Sequence, residues 1–155
     1  ILNFGFGGAY IEDCIKYFDS LFFDLNPNGV VLYIGGNDLS LNYTPKKIFN
    51  LIKKLIVKFQ ERLPQCKLFL VSIKPSYHRI KKMKQIINLN QMIKNYFDKS
   101  DRVFYVNIFD LFFDCNKKII KKYYLIDNLH LSSEGYAIWK REIKKSIVKE
   151  LNYVI

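Results

Sequence analysis

The stretch "IDNLHLSSEGY", residues 126–136, holds one of only two histidines in the chain. Asp127 stands three residues before His130, a spacing that can bring both side chains to one side of a turn. A carboxylate beside an imidazole is two-thirds of a hydrolytic triad: it holds the ring tautomer and stabilises the imidazolium that forms when the ring takes a proton. Such a pair works only with a nucleophile, and the tetrahedral oxyanion needs hydrogen-bond donors aimed at it.

No serine in the chain offers itself as that nucleophile. Asp19-Ser20 lies inside an amphipathic helical pattern, where the hydroxyl has no reason to face a site. Ser40, Ser72, Ser76, Ser132 and Ser133 read as loop, strand-end and capping residues. The other histidine, His78, sits in "PSYHR" beside Arg79 with no acidic neighbour, and reads as exposed or substrate-lining rather than catalytic. Cys14, Cys66 and Cys115 are odd in number and form no CxxC, so neither a zinc site nor a disulfide framework is expected. Reduced thiols in a cytoplasmic-type protein fit best, with Cys14 on an apolar helix face.

The elements that must position these residues alternate in type. "ILNF" (1–4) is a short apolar run leading into the glycine-rich "GFGG", and residues 9–24 carry Ile11, Ile15, Phe18 and Phe22 at helical spacing. "VVLYI" (30–34) is a continuous apolar run suited to a strand buried on both faces, and it leads into "GGND". Thr44 as N-cap and Pro45 at the first helical position open a helix with the stripe Ile48, Leu51, Ile52, Leu55, Ile56 and Phe59. "KLFLVSI" (67–73) and "RVFYVNI" (102–108) read as further strands. Residues 79–98 read as a helix with Met83, Ile86, Ile87, Asn90, Ile93 and Phe97 on one face, and 133–151 as a closing helix. This alternation predicts an open parallel sheet covered on both faces, in one domain.

Composition limits what that domain does. Half the 155 residues are hydrophobic and 16% aromatic, enough for one well-buried core. No apolar run approaches the about 18 residues of a membrane span, and no signal-peptide pattern opens the chain. The net charge is +11, from 21 Lys and 4 Arg against 14 acidic residues. Nucleic-acid recognition draws on the planar fork of Arg. Here the excess is Lys in pairs along helices, which reads as a solvated surface, and no nucleic-acid partner is expected.

In open α/β sheets ligands bind beyond the carboxyl ends of the strands. "GFGG", "GGND" and "DNLH" all fall at such positions. On these residues the chain resembles the SGNH hydrolases, also called GDSL esterases/lipases, and especially the bacterial members akin to platelet-activating-factor acetylhydrolase. That family carries four short blocks: Gly-Asp-Ser, a glycine in an Asn-rich turn, Gly-x-Asn-Asp, and Asp-x-x-His. "NFGFGG" (3–8) looks like the second, with Gly8 at the oxyanion-hole position, and "GGND" (35–38) matches the third, with Asn37 as the oxyanion asparagine. "DNLH" matches the last, with Asp127 and His130 as triad members, and "SIKPSYHR" (72–79) is similar to a segment common in these enzymes.

The first block is missing: no Gly-Asp-Ser occurs in the sequence. The chain opens on Ile1, and the expectation is a single SGNH hydrolase-like domain over 1–155 that is N-terminally truncated. The resemblance implies a three-layer α/β/α sandwich with a flavodoxin-like parallel sheet of order 2-1-3-4-5, its first, central strand absent. "ILNF" and "VVLYI" should then be separated by a strand-wide gap or pulled into another pairing. Each backbone group so orphaned costs about 1–3 kcal/mol against total stabilities of roughly 5–15 kcal/mol, so the chain alone is expected to be at best molten or aggregation-prone. The implied activity is ester hydrolysis on small-molecule, glycan or lipid esters, without cofactor or metal, although the chain as written should be inactive. Asp38 is read as holding the turn, and Asn37 has a competing reading as a turn cap. The competing functions are a serine-less binding module on the same fold and a basic nucleic-acid-binding domain. No sequence feature sets an oligomeric state.

Overall fold

A computed structural model describes residues 1–22 and 24–152. Among the described residues three parallel strands form the sheet: β1 (Gly29–Leu32), β2 (Lys67–Val71) and β3 (Val103–Val106), in the order β1-β2-β3. Val31 pairs with Phe69, and Phe69 with Phe104, so residues of one parity stack across the sheet. Successive strand side chains point to opposite faces, and both faces are covered. Val30, Leu32, Leu68, Leu70, Val103 and Tyr105 join one core, together with α1 (Ile11–Lys16), α2 (Phe18–Phe22), α3 (Pro45–Arg62) and α4 (Met83–Phe97). Phe69, Val71, Phe104 and Val106 join the other, together with α5 (Ser133–Leu151). The fold is a three-layer α/β/α sandwich.

Local chemistry accounts for the two longest helices. The Thr44 hydroxyl accepts from the Lys47 N–H at 3.2 Å, and Pro45 follows at the first helical position, so α3 starts where the sequence predicts. Its stripe Ile48, Ile52, Leu55, Ile56 and Phe59 is buried. Burying such side chains stabilises the fold by about 1.5–3 kcal/mol each, as an upper estimate. Ser132 caps α5, its hydroxyl accepting from Gly135 N–H at 3.2 Å.

Three expectations are corrected. "ILNF" is not a strand: residues 1–8 are irregular and exposed, and Gly5 N–H turns back to the Asn3 side chain at 2.9 Å. An extended run becomes a strand only with a partner for its backbone groups. Among the described residues β1 pairs with β2 alone, leaving its other edge open, with Val31 41% exposed. The helix expected over 9–24 is two short helices interrupted at Tyr17, and Phe18, at the start of the second, packs edge-on against Phe59 of α3 with ring centroids 4.6 Å apart. The helix expected from 79 opens with a 3-10 turn, Ile80–Lys82, and becomes α-helical at Met83. No described helix is long and apolar enough to cross a membrane.

Candidate active site

The Asp127–His130 pair is built by a tight turn between β3 and α5. Leu125 N–H donates to the His130 carbonyl at 2.8 Å, and Asn128, in the left-handed region at φ 56°, donates back to the Leu125 carbonyl at 2.9 Å. A bridge between Tyr124 and Leu131 closes the base of the turn. Within it, Asp127 Oδ1 accepts from the backbone N–H groups of Leu129 and His130, both at 2.9 Å. Oδ2 lies 2.5 Å from His130 Nδ1. The imidazole bond, followed by the two backbone bonds, holds the Asp127 carboxyl well below the usual carboxylate range. A ring that donates from Nδ1 keeps Nε2 as its acceptor. The His130 side chain is 69% exposed, and among the described residues no hydroxyl bonds Nε2.

The two glycine turns meet at Asn37. Gly8 has φ +76°, a conformation that disfavours side chains, and open space beside it. Asn37 Nδ2 donates to the Ala9 carbonyl at 3.1 Å, next to Gly8, while Asn37 Oδ1 accepts from Arg79 Nη2 at 2.9 Å. A guanidinium can only donate, so it selects the amide oxygen and turns the NH2 toward residues 8–9. Asp38 is fully buried, and Oδ1 accepts from Ile11 N–H, at the start of α1, at 3.2 Å. Burial pushes its carboxyl up from the usual range. Asp38 thus ties the "GGND" turn to the helix after "GFGG", the structural role expected of it.

The profile of the GDSL-like lipase/acylhydrolase family matches residues 1–138, which include all three of these turns. The chain belongs to that family. Solved structures agree on the fold. A Streptococcus pneumonia protein described as a platelet activating factor superposes with a TM-score of 0.82 at 24% identity, over 95% of this chain and 72% of its own. A GDSL-like lipase from Bacteroides thetaiotaomicron gives 0.75 at 25% identity, over 92% and 72%. A family 3 carbohydrate esterase from Clostridium thermocellum gives 0.65 at 28% identity, over 93% and 69%. No curated protein matches the chain.

For a member of this family, the remaining polar residues divide clearly. Ser72 accepts from Ile108 and Phe109 N–H groups at 2.9 and 3.0 Å, Ser76 accepts from Arg79 N–H at 3.2 Å, and Ser132 caps α5. Ser20 and Ser40 are exposed, as is His78, whose backbone N–H donates to the Asn128 carbonyl at 3.3 Å. The cysteines are free, and among the described residues no cluster of His, Cys, Asp and Glu could hold a metal. The sequence reading did not single out Lys74 or Arg79. Lys74 is only 6% exposed, and its Nζ donates to the Leu129 carbonyl at 2.5 Å, inside the Asp127–His130 turn. Burial, reinforced by the Arg79 charge, lowers its pKa to about 8. The available signal was a single Lys and a single Arg, the latter beside His78, in a short segment that follows a buried strand.

Proposed function

We propose that these residues are the base and oxyanion half of a serine ester hydrolase of the SGNH type. The observation that carries the reading is the 2.5 Å contact between His130 Nδ1 and Asp127 Oδ2. It leaves Nε2 to take the proton of a serine hydroxyl as the oxygen attacks an ester carbonyl. Asp127 then stabilises the imidazolium, which returns the proton to the leaving alcohol. Water, deprotonated by the same Nε2, then attacks the acyl-serine, releasing the acid and restoring the serine hydroxyl. The Gly8 N–H and the second N–H of the Asn37 amide are the chain's donors to the tetrahedral oxyanion. This chemistry runs on side chains and backbone N–H groups and calls for no cofactor. The likeness to a carbohydrate esterase at 28% identity favours acyl esters of carbohydrates, with lipid esters the other class in the family.

In this reading the nucleophile is a residue that these 155 do not include, because the sequence holds no Gly-Asp-Ser. The same absence favours a second reading, a serine-less module that binds acyl esters without cleaving them. A chimera that supplies the family's Gly-Asp-Ser segment separates the two, assayed with p-nitrophenyl acetate. The hydrolase reading expects turnover that His130→Ala abolishes. It also expects the unaltered chain to be no more active than free imidazole and inert to organophosphonates. Near-parental turnover in the His130→Ala chimera would sink the triad assignment.

A further inference from the structure

One loop touches both halves of this site. Residues 72–79 leave the end of β2, and the Ser76 hydroxyl tightens them by accepting from Arg79 N–H. Four bonds run from the loop to the strip that ends in the Asp127–His130 turn. Lys74 Nζ donates to the Leu129 carbonyl at 2.5 Å, and His78 N–H to the Asn128 carbonyl at 3.3 Å. Tyr77 OH donates to the Ile119 carbonyl at 2.9 Å, and Tyr124 OH to the Pro75 carbonyl at 2.5 Å. In the other direction Arg79 Nη2 reaches Asn37 Oδ1 at 2.9 Å.

A buried ammonium is costly to desolvate, and a methionine would fill the same volume without that penalty. What the ammonium adds is a charge-assisted bond to the carbonyl immediately before His130. Arg79 likewise adds an orientation that an apolar side chain would not, because it decides which end of the Asn37 amide faces Gly8 and Ala9.

We propose that Lys74 and Arg79 are positioning residues, the two ends of one clamp that holds the His130 turn and the Asn37 amide in fixed relation to each other. The proposal rests on the ester-hydrolase reading, since it assigns those two groups as base and oxyanion donor.

The test uses the 155-residue chain, labelled with 15N, and follows the His130 ring nitrogens and the Asn37 side-chain amide. Lys74→Met is expected to move the His130 ring resonances toward those of free histidine, and to move the Asn37 amide as well. Arg79→Met is expected to move the Asn37 amide and, across the loop, the His130 ring as well, with the double variant shifting less than the sum of the singles. Substitutions that move only their immediate partner, or neither group, would overturn the clamp. Tyr77→Phe removes one hydroxyl at a position 40% exposed and so leaves the fold in place. It should shift His130 in the same direction by a smaller amount, and no shift counts against the proposal. Acetate, titrated into each protein, should bind about 10-fold more weakly to Arg79→Met than to the parent, the loss expected for one hydrogen bond. Equal acetate affinity in both contradicts the clamp. Acetate that fails to bind the parent contradicts the hydrolase reading instead, and the ring and amide resonances still decide the clamp.

Discussion

Asn37 donates to the Ala9 carbonyl at 3.1 Å and accepts from Arg79 at 2.9 Å, so one amide joins segments 28 residues away on one side and 42 on the other. Both ends of the side chain are held. Its second N–H is therefore presented without the reorganisation cost that a mobile amide would carry.

That arrangement makes the first prediction. In a chimera supplied with a nucleophilic serine, Asn37→Ala should lower kcat by about 10²–10³, the usual loss for one oxyanion donor, and leave measurable residual activity. In the hydrolase reading the Gly8 N–H remains to carry part of the charge. Steady-state kinetics on p-nitrophenyl acetate check this, and an unchanged kcat would remove Asn37 from the oxyanion hole.

The same chimera, whose supplied strand is expected to restore cooperative unfolding, serves the second prediction and the two after it, and the second follows from Lys74. Its pKa falls from 10.5 to about 8 on folding, chiefly through burial. Below about pH 8 both folded and unfolded chains carry the charge, and the folded state bears the full penalty. Between about 8 and 10.5 the folded state releases the proton while the unfolded state keeps it, so stability rises with pH. The difference between the parent and Lys74→Met should grow in the parent's favour by about 3 kcal/mol across that window. Taking the difference cancels the tyrosines. Tyr33 and Tyr105, pushed up to about 12 by burial, act in the opposite direction above pH 10 in both proteins. Urea unfolding at several pH values measures it, and parallel curves would refute it.

The third prediction concerns an amide in an apolar stripe. Asn90 of α4 is buried; its Oδ1 accepts from Ile73 N–H at 2.9 Å, and its Nδ2 donates to the Ile73 carbonyl at 2.8 Å. It thereby satisfies the backbone just past the end of β2, from which the 72–79 loop departs. Asn90→Leu adds apolar burial but orphans a buried N–H and a buried C=O, each costing about 1–3 kcal/mol. A net loss of roughly 2–4 kcal/mol is expected by denaturant unfolding; a neutral result would mean that the pair is dispensable.

Gly135 supplies the fourth. By helix propensity alone, Gly→Ala inside α5 should gain about 1 kcal/mol. A Cβ at this position, however, would lie within contact distance of the Tyr123 carbonyl and close to the Leu131 side chain. Backbone cannot move aside cheaply, so steric overlap should win and Gly135→Ala should lose roughly 1–3 kcal/mol. A raised thermal midpoint would show that the α5 start can shift to make room.

What could be read from the sequence alone shares one property: it depends on near neighbours. The α3 stripe, its Thr44-Pro45 start, the β2 run and the span of α5 follow from periodicity and capping within a few residues, and each appears in the structure. The Asp127–His130 contact belongs with them, because three residues and one turn bring the groups together. The family blocks were visible for the same reason, since each lies within six consecutive residues.

The tertiary structure alone decided whatever depends on a distant partner. "ILNF" has the composition of a strand, yet pairing depends on what lies beside it, and nothing in its own four residues supplies that. The residue-9–24 pattern shows that Phe18 is on an apolar face, but only packing shows that Phe59, far along the chain, is the ring it meets. Asn90 holds a place in an apolar stripe because Ile73, 17 residues earlier, sets its backbone N–H and carbonyl against it. The bonds from Lys74 to Leu129 and from Arg79 to Asn37 span 55 and 42 residues, and no local pattern encodes them. Hydrogen bonds act over about 3 Å, so their partners are set by which segments the packed core brings into contact, not by their order along the chain.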